Sequence, residues 1–266
     1  MLSEERRRYL LGLLEHHGSL ETVTAARQLG VSEMTVRRDL TDLERRGLVR
    51  RVHGGAQRVH GAGYVSGPKR TPGAVQQIGT VAAAQVCARE TVYLDAGTTC
   101  LELARALKRR DLKLSIVTHA VNIAAELTGH PGFTVIQVGG ELYPETFAAT
   151  GPAALATIHQ FSFDRLFLTA HGLHARAGVT HGNLLEVAVK TAALSRAGWT
   201  ALLLESGRWN RQALTRVTDP GRLDLVVSDA ALPGEARRFL DSVNVAVLPE
   251  TPTEPYTADE GAAEQV

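Results

Sequence analysis

The chain has 266 residues, 44% hydrophobic and 21% charged, with a formal net charge of +1. That length suits one small and one large domain, while two cysteines, Cys87 and Cys100, are too few for a disulfide framework or a cysteine metal site. No run approaches the roughly 18 apolar residues of a membrane span, and the start lacks a signal-peptide cleavage pattern, so a cytoplasmic protein without a membrane partner is expected.

The small net charge hides an asymmetry. Residues 1–60 hold 11 Lys+Arg against 8 Asp+Glu and four of the ten histidines, whereas the remainder holds 18 against 20. A nucleic-acid reader is therefore expected at the basic end.

In chain order, Leu10, Leu11, Leu13 and Leu14 mark the buried stripe of a first helix ending near Gly18. "SLETVTAARQLGVS" predicts a second helix over Thr22–Leu29 stopped by Gly30. Ser32 is placed to N-cap a third helix running to about Arg46 and ending at Gly47. Two helices separated by a short break containing glycine have helix-turn-helix spacing. "LVRRVHGGAQRV" then alternates around Gly54-Gly55, as a β-hairpin wing would.

At about 100° per residue, Val36, Leu40 and Leu43 share one face of the third helix. Met34, Arg38, Thr41 and Arg45 lie opposite, with Thr35 and Arg37 on the flanks. An ordinary amphipathic helix would also put charge opposite its core. The preceding helix, the glycine turn, the serine cap and the basic wing decide for a helix that enters a DNA groove.

"GAGYVSGPKRTPG" is rich in Gly and Pro and reads as a linker. Beyond it, apolar runs alternate with helical ones. "TVYLDAGTT" precedes a helix near Cys100–Leu107, and "LSIVTHA" one over Val121–Leu127. "FTVIQVGG" follows, and "GPAALATI" begins a helix. "FDRLFLTAHG" leads to a helix over Leu184–Ala197, and "WTALLLESG", "LDLVVSD" and "VNVAVLPE" complete the series. The expected fold is α/β, a mainly parallel sheet covered by helices. The domains are a winged helix-turn-helix over 1–58, a linker over 59–73, an α/β domain over 74–248, and a disordered acidic tail over 249–266.

In open α/β sheets, ligands bind where loops leave the carboxyl ends of the strands. Five such loops carry polar residues or glycine: Asp95–Thr99, Thr118–Ala120, Gly139–Glu141, Ala170–Gly172 and Glu205–Trp209. Gly97 allows close backbone approach, and the hydroxyls and amides before a helix N-terminus suit a phosphorylated small molecule. Lys190, four residues after Glu186, is either half of an exposed helix ion pair or a cation reaching a ligand phosphate. His171, His174 and His181 cluster, but the flanking glycines argue against helical ligand spacing, and a metal site is not expected. No G-x-S-x-G elbow or P-loop is present, and no cofactor is expected.

"SEMTVRRDLTDLERRGLVRRVHGGA", followed by "DAGTT", "VTHA", "VGGELYPETFAATGPAA", "FDRLFLTAHGL" and "EVAVK", resembles the DeoR family of bacterial transcriptional regulators over about residues 3–230. The resemblance implies a winged helix-turn-helix joined to a sensor domain similar in fold to ribose-phosphate isomerase. It also implies a repressor of carbohydrate catabolism genes, released from DNA by a phosphorylated sugar. A homo-oligomer, dimer or tetramer, would dock on a double-stranded operator. Ser32, Met34, Thr35, Arg37 and Arg38 of the third helix and Arg50, Arg51, His53 and Arg58 of the wing would meet bases or phosphates.

Carried over by position, Asp95, Gly97, Thr98, Thr99, Thr118, Gly139, Gly140, Glu186 and Lys190 match the family's effector pocket. The family's usual T-N-S is Thr118-His119-Ala120 here, its D-G is His171-Gly172, and its S-S-K-F is Ser206-Gly207-Arg208-Trp209. "AVQQIG" stands where a lysine is common. His119, His171 and Arg208 thus join the expected pocket, and Arg208 suits a bidentate phosphate contact. Two other readings remain: an isomerase-like enzyme with a regulatory DNA-binding domain, and a DNA-binding module with a vestigial pocket.

Overall fold

The computed structural model describes residues 3–17, 19–45, 49–52, 54–58 and 73–249, divided between two units, Met1–Ala62 and Gly63–Val266. The expected linker except Gly73, the expected tail beyond Pro249, and His53 lie outside the described residues.

The first unit runs α1 (Ser3–His17), β1 (Ser19–Glu21), α2 (Thr22–Leu29), α3 (Glu33–Arg45), β2 (Val49–Val52) and β3 (Gly55–Arg58). Leu10 and Leu14, one turn apart on α1, pack with Val36, Leu40 and Leu43 of α3 around Ala25 and Ala26. Helical spacing thus gives each helix a single buried stripe. α2 closes on Gly30, left-handed at φ 62, with the amide of Val31 donating to Ala26 O at 3.1 Å. Ser32 Oγ accepts from the Thr35 amide at 3.2 Å and caps α3. Arg6 pairs with Asp39 and Arg7 with Asp42, fastening α1 to α3.

The wing has three strands rather than the two expected, in the antiparallel order β1-β3-β2. β1 has only three residues, too few for a readable alternation. Its closeness to the wing depends on Gly55, where a Cβ would stand 1.9 Å from Leu20 O.

The second unit begins with α4 (Ala74–Ala83), β4 (Thr91–Leu94), α5 (Thr98–Lys108), β5 (Leu114–Thr118), α6 (Val121–Leu127) and β6 (Phe133–Gln137). It continues with β7 (Glu141–Tyr143), β8 (Ala148–Thr150), α7 (Pro152–Ile158), β9 (Arg165–Thr169), β10 (Gly172–His174), β11 (Gly178–His181) and α8 (Leu184–Leu194). β12 (Thr200–Leu203), β13 (Thr215–Thr218), β14 (Leu225–Val227), α9 (Gly234–Ser242) and β15 (Ala246–Leu248) complete it. Seven strands form one parallel sheet in the order β15-β14-β12-β9-β4-β5-β6. Val92 and Leu94 of β4 pack with Ile78 of α4 and Leu103 of α5. Tyr93, between them, packs with Ile158 of α7 and Val189 of α8 on the other face. Burial on both faces explains why the strands read as unbroken apolar runs.

Several elements were not anticipated. α4 contains Gly79, which reads as a breaker but sits where a Cβ would stand 2.7 Å from the backbone of Glu102, at the crossing of α4 and α5. α9 carries four charged residues among its nine, with Ala236 and Leu240 as its buried positions. Two small antiparallel sheets, β7-β8 and β10-β11-β13, lie outside the parallel order. α8 stops at Leu194 rather than Ala197.

From β4 the chain builds outward to β5 and β6. It then returns to the other side of β4 as β9 and continues through β12, β14 and β15. The strand order therefore reverses between β4 and β9, and a crevice opens at the carboxyl ends of strands that diverge in this way.

Candidate functional site

On the first unit, α3 buries Val36, Leu40 and Leu43 and turns Met34, 73% exposed, outward. Arg37 and Arg38 are both exposed. Arg37 Nη2 donates to Glu33 Oε2 at 3.3 Å, while Arg38 makes no hydrogen bond or ion pair among the described residues. Ser32 and Thr35 share a hydroxyl contact at 2.9 Å within the cap.

Arg51 is placed differently from a simple phosphate grip. Its Nη1 donates to Thr41 Oγ1 at 2.9 Å and to Arg37 O at 3.2 Å, and its Nε to Gly55 O at 3.3 Å. The Arg51 amide donates to Glu44 Oε1 at 2.8 Å. This side chain straps the wing to α3. The side chains of Arg50 and Arg58 lie outside what is described, as does all of His53.

On the second unit, the five polar loops leave β4, β5, β6, β9 and β12, five successive neighbours in the sheet. Asp95 follows β4, and Thr169 ends β9, so the two face each other across the reversal in strand order. The Thr169 amide donates to Asp95 Oδ2 at 2.8 Å, and Thr169 Oγ1 stands 2.8 Å from both Asp95 Oδ2 and Ala96 O. Lys190 of α8 donates its Nζ to the same Oδ2. The exposed Glu186–Lys190 pair allowed by their spacing is therefore corrected: α8 turns both residues inward, and each is buried. Burial pushes the Asp95 carboxyl up, but the Lys190 charge and the hydrogen bonds from Lys190 and Thr169 outweigh it and hold the group below the usual carboxylate range.

His119, fully buried, has its Nδ1 2.8 Å from the Tyr93 hydroxyl. Burial lowers the imidazole to about 4, so it is neutral at pH 7, and burial pushes the Tyr93 phenol well up. His119 Nε2 stands 3.7 Å from Asp95 Oδ1. Thr118 Oγ1 accepts from the Ala120 amide at 3.1 Å and shapes that loop.

The rings of His171 and His181 stack at 3.9 Å. Each Nδ1 accepts a backbone amide, from Gly182 at 3.0 Å and from Asn183 at 3.2 Å, which leaves the proton of each neutral ring on Nε2. His181 Nε2 lies 3.6 Å from Glu186 Oε2, and Thr146 Oγ1 donates to Glu186 Oε1 at 2.9 Å. Burial and the nearby Arg208 and Lys190 charges lower His171 to about 4, and burial lowers His181 further and raises Glu186. Arg208 donates to Ala170 O and to Glu205 Oε1, each at 3.1 Å. His174 stands apart, its Nδ1 accepting the amides of Arg176 and Ala177 in a turn.

Gly97 precedes α5 at φ 122 and ψ 162, a conformation that favours glycine. It brings the first amides of α5 beside Thr169, whose Oγ1 would lie 3.5 Å from a Cβ there. Gly140, at φ 148, lies against Thr150 O, and Gly139 has open space around it. Tyr93, Thr146 and Thr169 were not singled out from the sequence. Tyr93 is hidden in an apolar run, and Thr169 immediately precedes a loop that was. Together these groups can hold a small polar anion by two cations and several neutral donors. Among the described residues no group of three His, Cys, Asp or Glu is placed to hold a metal, and no helix is long and apolar enough to cross a membrane.

Residues 6–61 match the model of the DeoR-like helix-turn-helix domain, and residues 73–230 that of the DeoR C-terminal sensor domain. The chain is 30% identical over 252 residues to the HTH-type transcriptional regulator GlpR of Haloferax volcanii, covering 93% of this chain and 98% of that one. It is 26% identical over 252 residues to a putative aga operon transcriptional repressor of Escherichia coli O157:H7, covering 92% and 93%. Ribose 5-phosphate isomerase A of Methanocaldococcus jannaschii overlaps 51% of this chain and 53% of its own, with 10% identity and a TM-score of 0.37. A likeness of that size carries no argument about activity. By both domain models, the chain belongs to the DeoR family of HTH-type transcriptional regulators.

Proposed function

We propose that the chain is a repressor of carbohydrate catabolism genes that binds double-stranded operator DNA and releases it when a phosphorylated sugar binds the α/β unit. A homo-oligomer, dimer or tetramer, sets one α3 in the major groove of each half-site. Met34 and Arg38 meet base edges, with Ser32, Thr35 and Arg37 at the groove margin and Arg50, His53 and Arg58 on phosphates. Arg51 supports the wing and keeps Nη2 for a phosphate.

The observation that carries the sensing half is Asp95, held by Lys190 and Thr169 across the strand reversal. A buried carboxylate suits sugar hydroxyls, while the start of α5, Lys190 and Arg208 suit a phosphate. Thr98, Thr99, Thr118, Gly139, Gly140, His119, His171 and Glu186 complete the pocket. Support for binding without turnover comes from relatives named as regulators. It also comes from Asp95 itself, which is held ionised and is a weak general base. The ligand acts by favouring the arrangement that does not fit the operator, by no more than its differential affinity.

The test is fluorescence anisotropy of the purified chain on DNA from upstream of its gene, at fixed near-physiological salt. Ribose 5-phosphate, fructose 6-phosphate, glucose 6-phosphate and inorganic phosphate are added in turn. Sequence-dependent binding weakened by one sugar phosphate is expected. Specific binding indifferent to all of them would remove the sugar-phosphate half of the proposal.

A further inference from the structure

The two oxygens of Asp95 are treated unequally. Oδ2 receives Lys190 Nζ and the Thr169 amide, whereas Oδ1 is buried without a hydrogen-bond partner. The other unpartnered buried atom beside it is His119 Nε2, 3.7 Å away and beyond a direct N–H···O bond.

The proton on His119 can be placed. The Tyr93 hydroxyl is buried, and His119 Nδ1 is its partner among the described residues. If that hydroxyl accepted from Nδ1–H, its own proton would be left without an acceptor. It therefore donates to Nδ1, and the neutral ring keeps its proton on Nε2. A donor and an acceptor, both buried and both unsatisfied, thus face one another across a gap. Buried polar groups in folded proteins ordinarily find partners.

We propose that Nε2–H of His119 and Oδ1 of Asp95 bracket one hydroxyl of the ligand, which accepts from the first and donates to the second. This rests on the sugar-phosphate reading of the same site and assigns its hydroxyl specificity to a pair of atoms. An ammonium group can donate to Oδ1 but cannot accept from Nε2. A fully ionised phosphate can accept from Nε2 but has no proton for Oδ1 and is repelled by the carboxylate. A hydroxyl does both. The anionic end then lies toward the start of α5, Lys190 and Arg208.

The experiment uses the full chain and calorimetric titration of ribose 5-phosphate, fructose 6-phosphate and glucose 6-phosphate, with inorganic phosphate as the anion-only probe. His119→Phe retains a ring against Tyr93 and removes the donor. We expect it to weaken the sugar phosphate that binds the wild type by roughly tenfold or more, because the ligand hydroxyl loses its donor. In parallel, nitrogen-15 NMR of the histidine-labelled wild type reads the His119 tautomer, and this stands even where the variant does not fold. The expected result is an Nε2–H tautomer whose signal moves with the sugar phosphate and not with inorganic phosphate. An Nδ1–H tautomer, an unmoved signal, or equal affinity in His119→Phe would overturn the bracket and leave the sugar-phosphate reading standing. Failure of every sugar phosphate to bind the wild type would overturn that reading and the bracket with it.

Discussion

Lys190 and Asp95 meet at the carboxyl ends of the strands, 95 residues apart in sequence, with side chains no more than 1% exposed. Their pairing makes α8 and the β4 loop one electrostatic unit. Breaking such a pair from one side leaves a buried charge uncompensated, which costs about 3–5 kcal/mol. Lys190→Met should lower the stability of the α/β unit by that amount in urea unfolding. The double variant with Asp95→Asn should lose less than Lys190→Met alone, because no charge is stranded. A double variant that loses the sum of its two single changes would show that the residues do not interact.

A second consequence concerns pH. His119 and His171 are held at about 4 in the folded chain, against about 6.5 when unfolded, and His181 is lowered as well. Between those values the unfolded chain binds more protons, so stability rises with pH from about 4 to about 6.5 and levels off above. Fully buried His119 alone accounts for about 3 kcal/mol as pH approaches 4. Glu186, raised by burial, works the other way, shedding stability as pH rises through and above the usual carboxylate range. Asp95, lowered, contributes stability above its unfolded value of about 3.9 and loses it as pH falls from there through its depressed value, below this window. Three imidazoles outweigh one carboxyl. The urea midpoint of the α/β unit should therefore drop between pH 6.5 and 4.5, and a flat midpoint would mean that the rings are not held neutral.

How much of this was legible in the sequence depends on what sets each feature. α2 and α6 were readable to the residue because local signals bound them, such as Gly30 and the pattern around Leu127. The parallel strands were readable because burial on both faces leaves unbroken apolar runs. α4 was not, because Gly79 serves a crossing with α5 that no local pattern announces. In the site, the loop residues were visible as polar breaks at strand ends. Their partners were not: nothing near Lys190 in sequence points to Asp95, and nothing near Arg51 points to Thr41. Tyr93 looks like a core aromatic, and its hydroxyl matters only once His119 is beside it.

Arg38 and Arg51 should behave differently when removed. Arg38 is exposed, and its side chain makes no hydrogen bond or ion pair among the described residues. Arg38→Ala should leave stability within about 0.5 kcal/mol, weaken operator binding by about 1–3 kcal/mol and relax specificity at one base position. Arg51→Ala should cost the winged unit about 1 kcal/mol of stability through its lost bonds to Thr41 and Arg37, and weaken all DNA sequences alike. Arg51→Lys should not restore it, since one ammonium cannot serve both Gly55 and Thr41 as the guanidinium fork does. Thermal melts beside anisotropy on operator and scrambled DNA separate the two. Equal loss of specificity in both variants would contradict this division.

Gly97 offers a test confined to the α/β unit. Its φ of 122 is strained for any residue with a Cβ, at about 1–3 kcal/mol, although the Cβ itself would find room at 3.5 Å from Thr169 Oγ1. Gly97→Ala should therefore act through the backbone, lowering the stability of this unit and drawing the first amides of α5 away from Thr169. The ligand response in the anisotropy assay should shrink while operator affinity without ligand is retained, since the side chains proposed to read DNA belong to the other unit. Gly139→Ala, where a Cβ meets nothing within 4 Å, serves as the control and should melt as the wild type does. If Gly97→Ala melts like Gly139→Ala and responds to ligand like the wild type, the approach of α5 to Thr169 does not depend on glycine, and its amides are not positioned as the anion site requires.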